Sequence, residues 1–84
     1  MNKQETIEQL KEIIKPYIHN QEAFDILTEN TDFINDLRIN SANLVDVILD
    51  IEEKYKIVID NESMERMLDV KSALEIIETK LSEK

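Results

Sequence analysis

Apolar residues recur at helical spacing in four stretches of the 84-residue chain. In the first, Ile7, Leu10, Ile14, Tyr17 and Ile18 follow three-and-four spacing, with Ile13 beside them and Glu5, Glu8, Lys11 and Glu12 between. This pattern predicts a helix from about Gln4 to Lys15 or slightly beyond. Pro16 lacks an amide hydrogen and disfavours a helical Lys15, so the helix should end or kink there. From about His19 to Asn40 the periodicity fails. So long a connection is uncommon as bare loop in a small domain, so turns or a short helix are expected within it. Ala23, Phe24, Ile26, Leu27, Phe33, Ile34 and Leu37 would tack it to the core.

A second helix is predicted from Asn40 or Ser41 to Lys54 or Tyr55, both starting residues being favoured N-caps. A short third helix fits Asn61 to Leu68 behind an Asp60 cap. A fourth fits Val70 to about Leu81 behind Asp69, with Val70, Ala73, Leu74, Ile77 and Leu81 as its buried stripe. Ile57-Val58-Ile59 has strand-like residue types, but a lone strand has no partner to pair with and reads as an extended connector. The expected class is all-α, a four-helix bundle in one domain spanning 1–84, with a long first connection and a short third helix.

The second helix has two apolar faces. At about 100° per residue, Leu44, Val47, Ile48, Ile51 and Tyr55 share the side that should face the core. Ala42, Val45 and Leu49 fall well away from it, beside Asp46 and Glu53. An isolated exposed apolar residue is common. A small apolar centre ringed by carboxylates is also what a protein offers to a basic partner.

Composition narrows the chemistry. A net charge of −9 argues against nucleic-acid partners, because phosphate contacts need clustered Lys and Arg, and favours proteins with basic patches. The chain has no cysteine, hence no disulfide, thiolate nucleophile or cysteine metal site. Its polar, acidic start is unlike a signal peptide, and no apolar run approaches the roughly 20 residues of a membrane span, so a cytoplasmic protein is expected. Glycine is absent, where average usage of about 7% would give roughly six, so glycine phosphate loops and dinucleotide fingerprints are excluded. Turns and helix ends should then fall to Asn and Asp, which tolerate the left-handed region better than most residues. His19 is the sole histidine, and no Glu-x-x-His pair offers a di-metal site. Asp60-Asn61-Glu62 lacks the remaining ligands and glycine of a calcium loop. Glu52 and Glu53 diverge on a helix and would not converge on one substrate. No nucleophile–base–acid set is present, and the chain does not read as an enzyme.

Ser41 opens the second helix. A serine there is usually only a cap, although the positive end of a helix and its unpaired amides also favour an attached phosphate. The wider order of residues is more specific. Phe33-Ile34-Asn35-Asp36-Leu37-Arg38-Ile39-Asn40-Ser41-Ala42-Asn43-Leu44-Val45-Asp46 resembles the attachment region of acyl carrier proteins, in which Phe-x-x-Asp-Leu leads through a short turn into Asp-Ser-Leu and an apolar-acidic helix. Leu49-Asp50-Ile51-Glu52-Glu53-Lys54-Tyr55-Lys56-Ile57-Val58-Ile59 is similar to the same family's Leu-Glu-Glu-x-Phe-x-Ile-x-Ile run. The resemblance extends from Ile7 to about Leu81 and implies a four-helix bundle of acyl-carrier type.

It further implies that Ser41 carries 4′-phosphopantetheine, installed by a phosphopantetheinyl transferase from coenzyme A with a divalent metal. The arm's thiol would hold acyl groups as thioesters, which supplies thiol chemistry to a cysteine-free chain. Ala42, Val45, Asp46, Leu49, Glu52 and Glu53, with Glu65 and Met67 on the third helix, match partner-contact positions for acyl-loading and acyl-processing enzymes with basic patches. Ile51, Ile59, Met64 and Met67 would line a space for a bound acyl chain, and the protein is expected to be a monomer. The chain departs from the family pattern at Asn40 (usually Asp), Ala42 (usually Leu), Arg38 (usually Gly) and Asn43 (usually acidic). These changes point to a specialised lipid or secondary-metabolite pathway rather than housekeeping fatty-acid synthesis. The alternatives are an aminoacyl carrier, for example for D-alanine, and a helical interaction module that has lost the arm.

Overall fold

Helix α1 spans Lys3–Ile14 and runs into a 3₁₀ turn at Lys15–Tyr17, where Pro16 occupies a position that needs no amide donor. Helix α2 is a short segment, Gln21–Asp25, inside the long connection. Helices α3 (Ser41–Tyr55), α4 (Asn61–Arg66) and α5 (Val70–Ser82) complete the chain. The computed structural model describes residues 3–83. Among these no strand forms; one isolated antiparallel bridge joins Asp32 to Asp69. The class is all-α, as expected.

α1 packs on both α3 and α5. One continuous core holds Leu10 and Ile14 of α1, Phe24 of α2, Phe33, Leu37 and Ile39 of the connection, Leu44, Val47, Ile48, Ile51 and Tyr55 of α3, and Val70, Ala73, Leu74, Ile76 and Ile77 of α5. The radius of gyration, 11.7 Å, equals the roughly 12 Å expected for a close-packed chain of this length. Among the described residues no buried side-chain nitrogen or oxygen lacks a partner.

Packing altered several details of the reading. In α1 the buried positions are Thr6, Leu10 and Ile14, while Ile7, Ile13, Tyr17 and Ile18 are only partly covered. In α5 both Ile76 and Ile77 are buried and Leu81 is only partly so. Ile76 lines one cleft with Ser63 and Arg66 of α4. α4 ends at Arg66 rather than Leu68, because the Leu68 carbonyl accepts the Phe33 amide at 3.0 Å and Asp69 is already extended as the cap of α5. Ile26 does not tack the connection down; it lies at the end of α2 and is 72% exposed.

Asn and Asp serve the helix starts, not the left-handed positions. Asn20, Asn40, Asp60 and Asp69 cap α2, α3, α4 and α5, each accepting a first-turn amide. For Asp60, the bond from the Ser63 amide lowers the carboxyl below its ordinary pKa, helped by the Ser63 hydroxyl and Lys80. Its stabilisation of α4 is therefore present above the ordinary carboxyl pKa and fades as pH falls through the lowered one. Among the described residues the left-handed ones are Arg38, with φ 62°, and Lys56, with φ 56°.

Lys56 closes α3, its amide and that of Ile57 both reaching the Glu52 carbonyl. A Cβ in this region costs about 1–2 kcal/mol, partly offset by the extra freedom glycine has when unfolded. Lys56→Gly is therefore expected to gain about 0.5–1 kcal/mol, a Tm rise of a few degrees in a thermal melt. An unchanged or lower Tm would mean that Lys56 makes a compensating contact.

Candidate functional site

The connection before α3 is built to hold the start of that helix in place. Asp32 Oδ1 accepts the amides of Ile34 and Asn35 at 2.9 and 2.8 Å, and Asp36 Oδ2 accepts the amide of Asp32 at 2.8 Å. The Ile39 amide then reaches back to the Phe33 carbonyl at 3.0 Å, and the Leu37 carbonyl accepts the His19 amide at 3.0 Å. Phe33 and Leu37 expose nothing and Ile39 only 1%, so three apolar anchors fix the backbone immediately before Asn40.

Asn40, not Ser41, is the cap of α3. Its φ and ψ are extended, and its Oδ1 accepts the Ala42 amide at 2.8 Å. Ser41 is the first helical residue, is exposed, and has no hydrogen-bond partner for its hydroxyl among the described residues. A capping serine would have its oxygen engaged; this one is free at the positive end of a 15-residue helix. From Leu37 to Val45 the only charged residue is Arg38, so no carboxylate repels an anion at Ser41 from within this stretch. A phosphodiester on the Ser41 oxygen is compatible with these surroundings.

The outward face of α3 has the composition read from the sequence. Ala42, Asp46 and Glu53 are exposed, and Val45 and Leu49 expose 45% and 54% of their surfaces. Glu65 is exposed on α4. Glu52 differs: its Oε2 accepts the Ile59 amide at 2.7 Å, holding the connector between α3 and α4 against the helix. Ile51 and Met67 have no exposed surface, Ile59 exposes 5%, and Met64 is half-buried. Met67 thus offers nothing to a partner's surface, contrary to its expected partner contact. Glu52→Ala is expected to cost about 1–2 kcal/mol and to speed hydrogen exchange at the Ile59 amide, since a half-buried donor loses its acceptor. If Glu52 were only a solvated charge, denaturant midpoints would not move.

Two features escaped the periodicity. The Tyr17 hydroxyl donates to Asp50 Oδ2 at 3.1 Å, beside the exposed face of α3. That bond raises the phenol above its ordinary pKa, aided by partial burial and by the charges of Asp50 and Asp46. Tyr17 shares the spacing of the first helix's apolar stripe, and only the 3₁₀ turn at Pro16 re-aims it. Val58 and Leu68 are likewise exposed, by 78% and 51%, in segments too short for a helical pattern to report a face.

No protein-family model matches the chain. Among curated proteins it is similar to the acyl carrier protein of Coprothermobacter proteolyticus, 30% identical over 81 residues covering 96% of each chain. The acyl carrier protein of Petrotoga mobilis is 32% identical over 82 residues, 98% of this chain and 94% of its own. That of Lactobacillus acidophilus is 30% identical over 79 residues, 94% of this chain and 96% of its own.

Proposed function

The chain belongs to the acyl carrier protein family, whose members carry acyl groups rather than catalyse reactions, and from that premise we propose that Ser41 is the attachment point of its 4′-phosphopantetheine arm. The observation that supports this most is the division of labour at the start of α3: Asn40 caps, which leaves the Ser41 hydroxyl exposed and uncommitted. When attached, the arm would supply a thiol on which acyl groups are held as thioesters. The protein's own residues hold that point steady, through the buried anchors Phe33, Leu37 and Ile39, and surround it with a face partners can read. Ala42, Val45, Asp46, Leu49 and Glu53 of α3, with Glu65 of α4, form that face in this reading. Its occupants are the phosphopantetheinyl transferase and acyl-handling enzymes with basic patches. Ile51, Ile59, Met64 and Met67 are the core positions that would yield to an acyl chain, methionine being the most adaptable of them.

We also assign the protein to a specialised lipid or secondary-metabolite pathway in the cytoplasm. Asn40 and Asn43 make the entry to α3 less acidic than the family pattern, Ala42 makes it less bulky, and Arg38 adds a cation. Among the described residues no helix is long and apolar enough to cross a membrane.

The test is intact mass before and after incubation with coenzyme A, magnesium and a promiscuous transferase. A gain of one phosphopantetheinyl unit is expected. No gain with several transferases, including one from the source organism, would instead mark an interaction module without an arm. Loading of the armed protein by an amino-acid-activating enzyme in place of an acyl-activating one would make the cargo aminoacyl.

A further inference from the structure

Arg38 is held in a conformation that disfavours it and, among the described residues, its side chain has no partner. Its φ of 62° is one of two left-handed values among the described residues, in a chain without glycine. Its flanks are pinned: Leu37 and Ile39 are buried, and their amides bond to the carbonyls of Asp32 and Phe33 at 3.1 and 3.0 Å. Arg38 itself is exposed, and among the described residues nothing forms a salt bridge or hydrogen bond with its guanidinium. Asp32 and Asp36, the nearest carboxylates in sequence, each accept turn amides through one oxygen, and neither forms a salt bridge with Arg38. Between Lys15 and Lys54 it is the only cation in the chain. A fixed backbone with a free, permanently charged head thus stands three residues before Ser41, in a protein of net charge −9.

From this we infer that Arg38 is a specificity-determining residue for modification of Ser41, pairing with the phosphates of the incoming coenzyme A and afterwards with the phosphodiester left on the serine. The inference rests on the Ser41 reading and adds to it. In the transfer, the Ser41 oxygen bonds to the phosphorus that bears the pantetheine arm. The P–O bond of the diphosphate breaks, and adenosine 3′,5′-bisphosphate leaves with that electron pair while the serine proton passes to base. Negative charge on the reacting phosphate is where a planar guanidinium gains most, through short charge-assisted bonds. The acidic remainder of the chain would otherwise repel so anionic a donor.

The experiment compares the wild type with Arg38→Ala, Arg38→Lys and Arg38→Glu as substrates of one transferase, at low and moderate salt. It then compares the ³¹P resonance of each loaded protein and the Arg38 Nε resonance before and after loading. kcat/KM is expected to fall about three- to tenfold for Arg38→Ala, further for Arg38→Glu, and least for Arg38→Lys, with a shallower salt dependence in the variants that lose the charge. The ³¹P signal is expected to differ between the wild type and Arg38→Ala, and the Arg38 Nε signal to move on loading. Equal kcat/KM across the four proteins overturns the inference and leaves Ser41 modification standing. Slower loading with unmoved ³¹P and Nε signals also overturns it, because Arg38 would then be meeting a carboxylate of the transferase. No loading of any protein, the wild type included, overturns the Ser41 reading and the inference together.

Discussion

Ser41→Ala is expected to take up no phosphopantetheine and yet to melt at the wild-type temperature. The two halves of this result come from different parts of the structure. The hydroxyl is the only nucleophile the attachment reading uses, so its removal abolishes the mass gain outright. Stability is spared because the cap of α3 is Asn40, whose Oδ1 already accepts the Ala42 amide at 2.8 Å. Losing a capping side chain costs typically about 1 kcal/mol, which in a domain of this size is roughly 4–8 °C in Tm. Asn40→Ala is the control that should show that loss. Ser41→Ala should shift ΔG by no more than about 0.5 kcal/mol, and in the stabilising direction if at all, since alanine is the better helix former. A Tm drop equal to that of Asn40→Ala would show that Ser41 caps the helix after all, and retained mass gain would place the arm elsewhere.

Phe33→Ala is expected to be the most damaging single substitution in the connection. Phe33 has no exposed surface, its amide donates to the Leu68 carbonyl, and its carbonyl accepts the Ile39 amide, both at 3.0 Å. One residue thus ties the connection to the α4–α5 junction and to the segment that delivers Asn40 and Ser41. Truncating a buried phenylalanine costs about 3–5 kcal/mol, against a total of about 4–13 kcal/mol for 84 residues. Urea denaturation should show that loss, and hydrogen exchange should accelerate at the Ile39 amide before it does in α1. A loss under about 1 kcal/mol would mean that the connection is not part of the core.

The helices were legible because each carries its own instructions. Asp60 and Asp69 precede α4 and α5 as caps, Pro16 ends α1, and the apolar period of α3 separates Leu44, Val47, Ile48, Ile51 and Tyr55 from Val45 and Leu49. Capping and periodicity act within one or two turns, so a linear reading reaches them. The left-handed positions were not legible in that way. Asn and Asp tolerate the region by local sterics, but Arg38 and Lys56 occupy it because surrounding contacts over-determine the backbone there.

The site divides along the same line. Sequence alone identified Ser41 as the residue to watch and supplied the exposed apolar and acidic positions of α3, since residue order and helical spacing are properties of the chain itself. It left undecided whether Ser41 or Asn40 caps the helix, and it read Glu52 as a partner-contact position on the acidic face. Tertiary structure separated the two candidate caps by an extended Asn40 and turned Glu52 inward to the Ile59 amide, seven residues away. Both outcomes depend on where the anchored connection and the α3–α4 connector come to rest. That is settled by the burial of Phe33, Leu37, Ile39, Ile57 and Ile59 in a shared core, which no local pattern encodes.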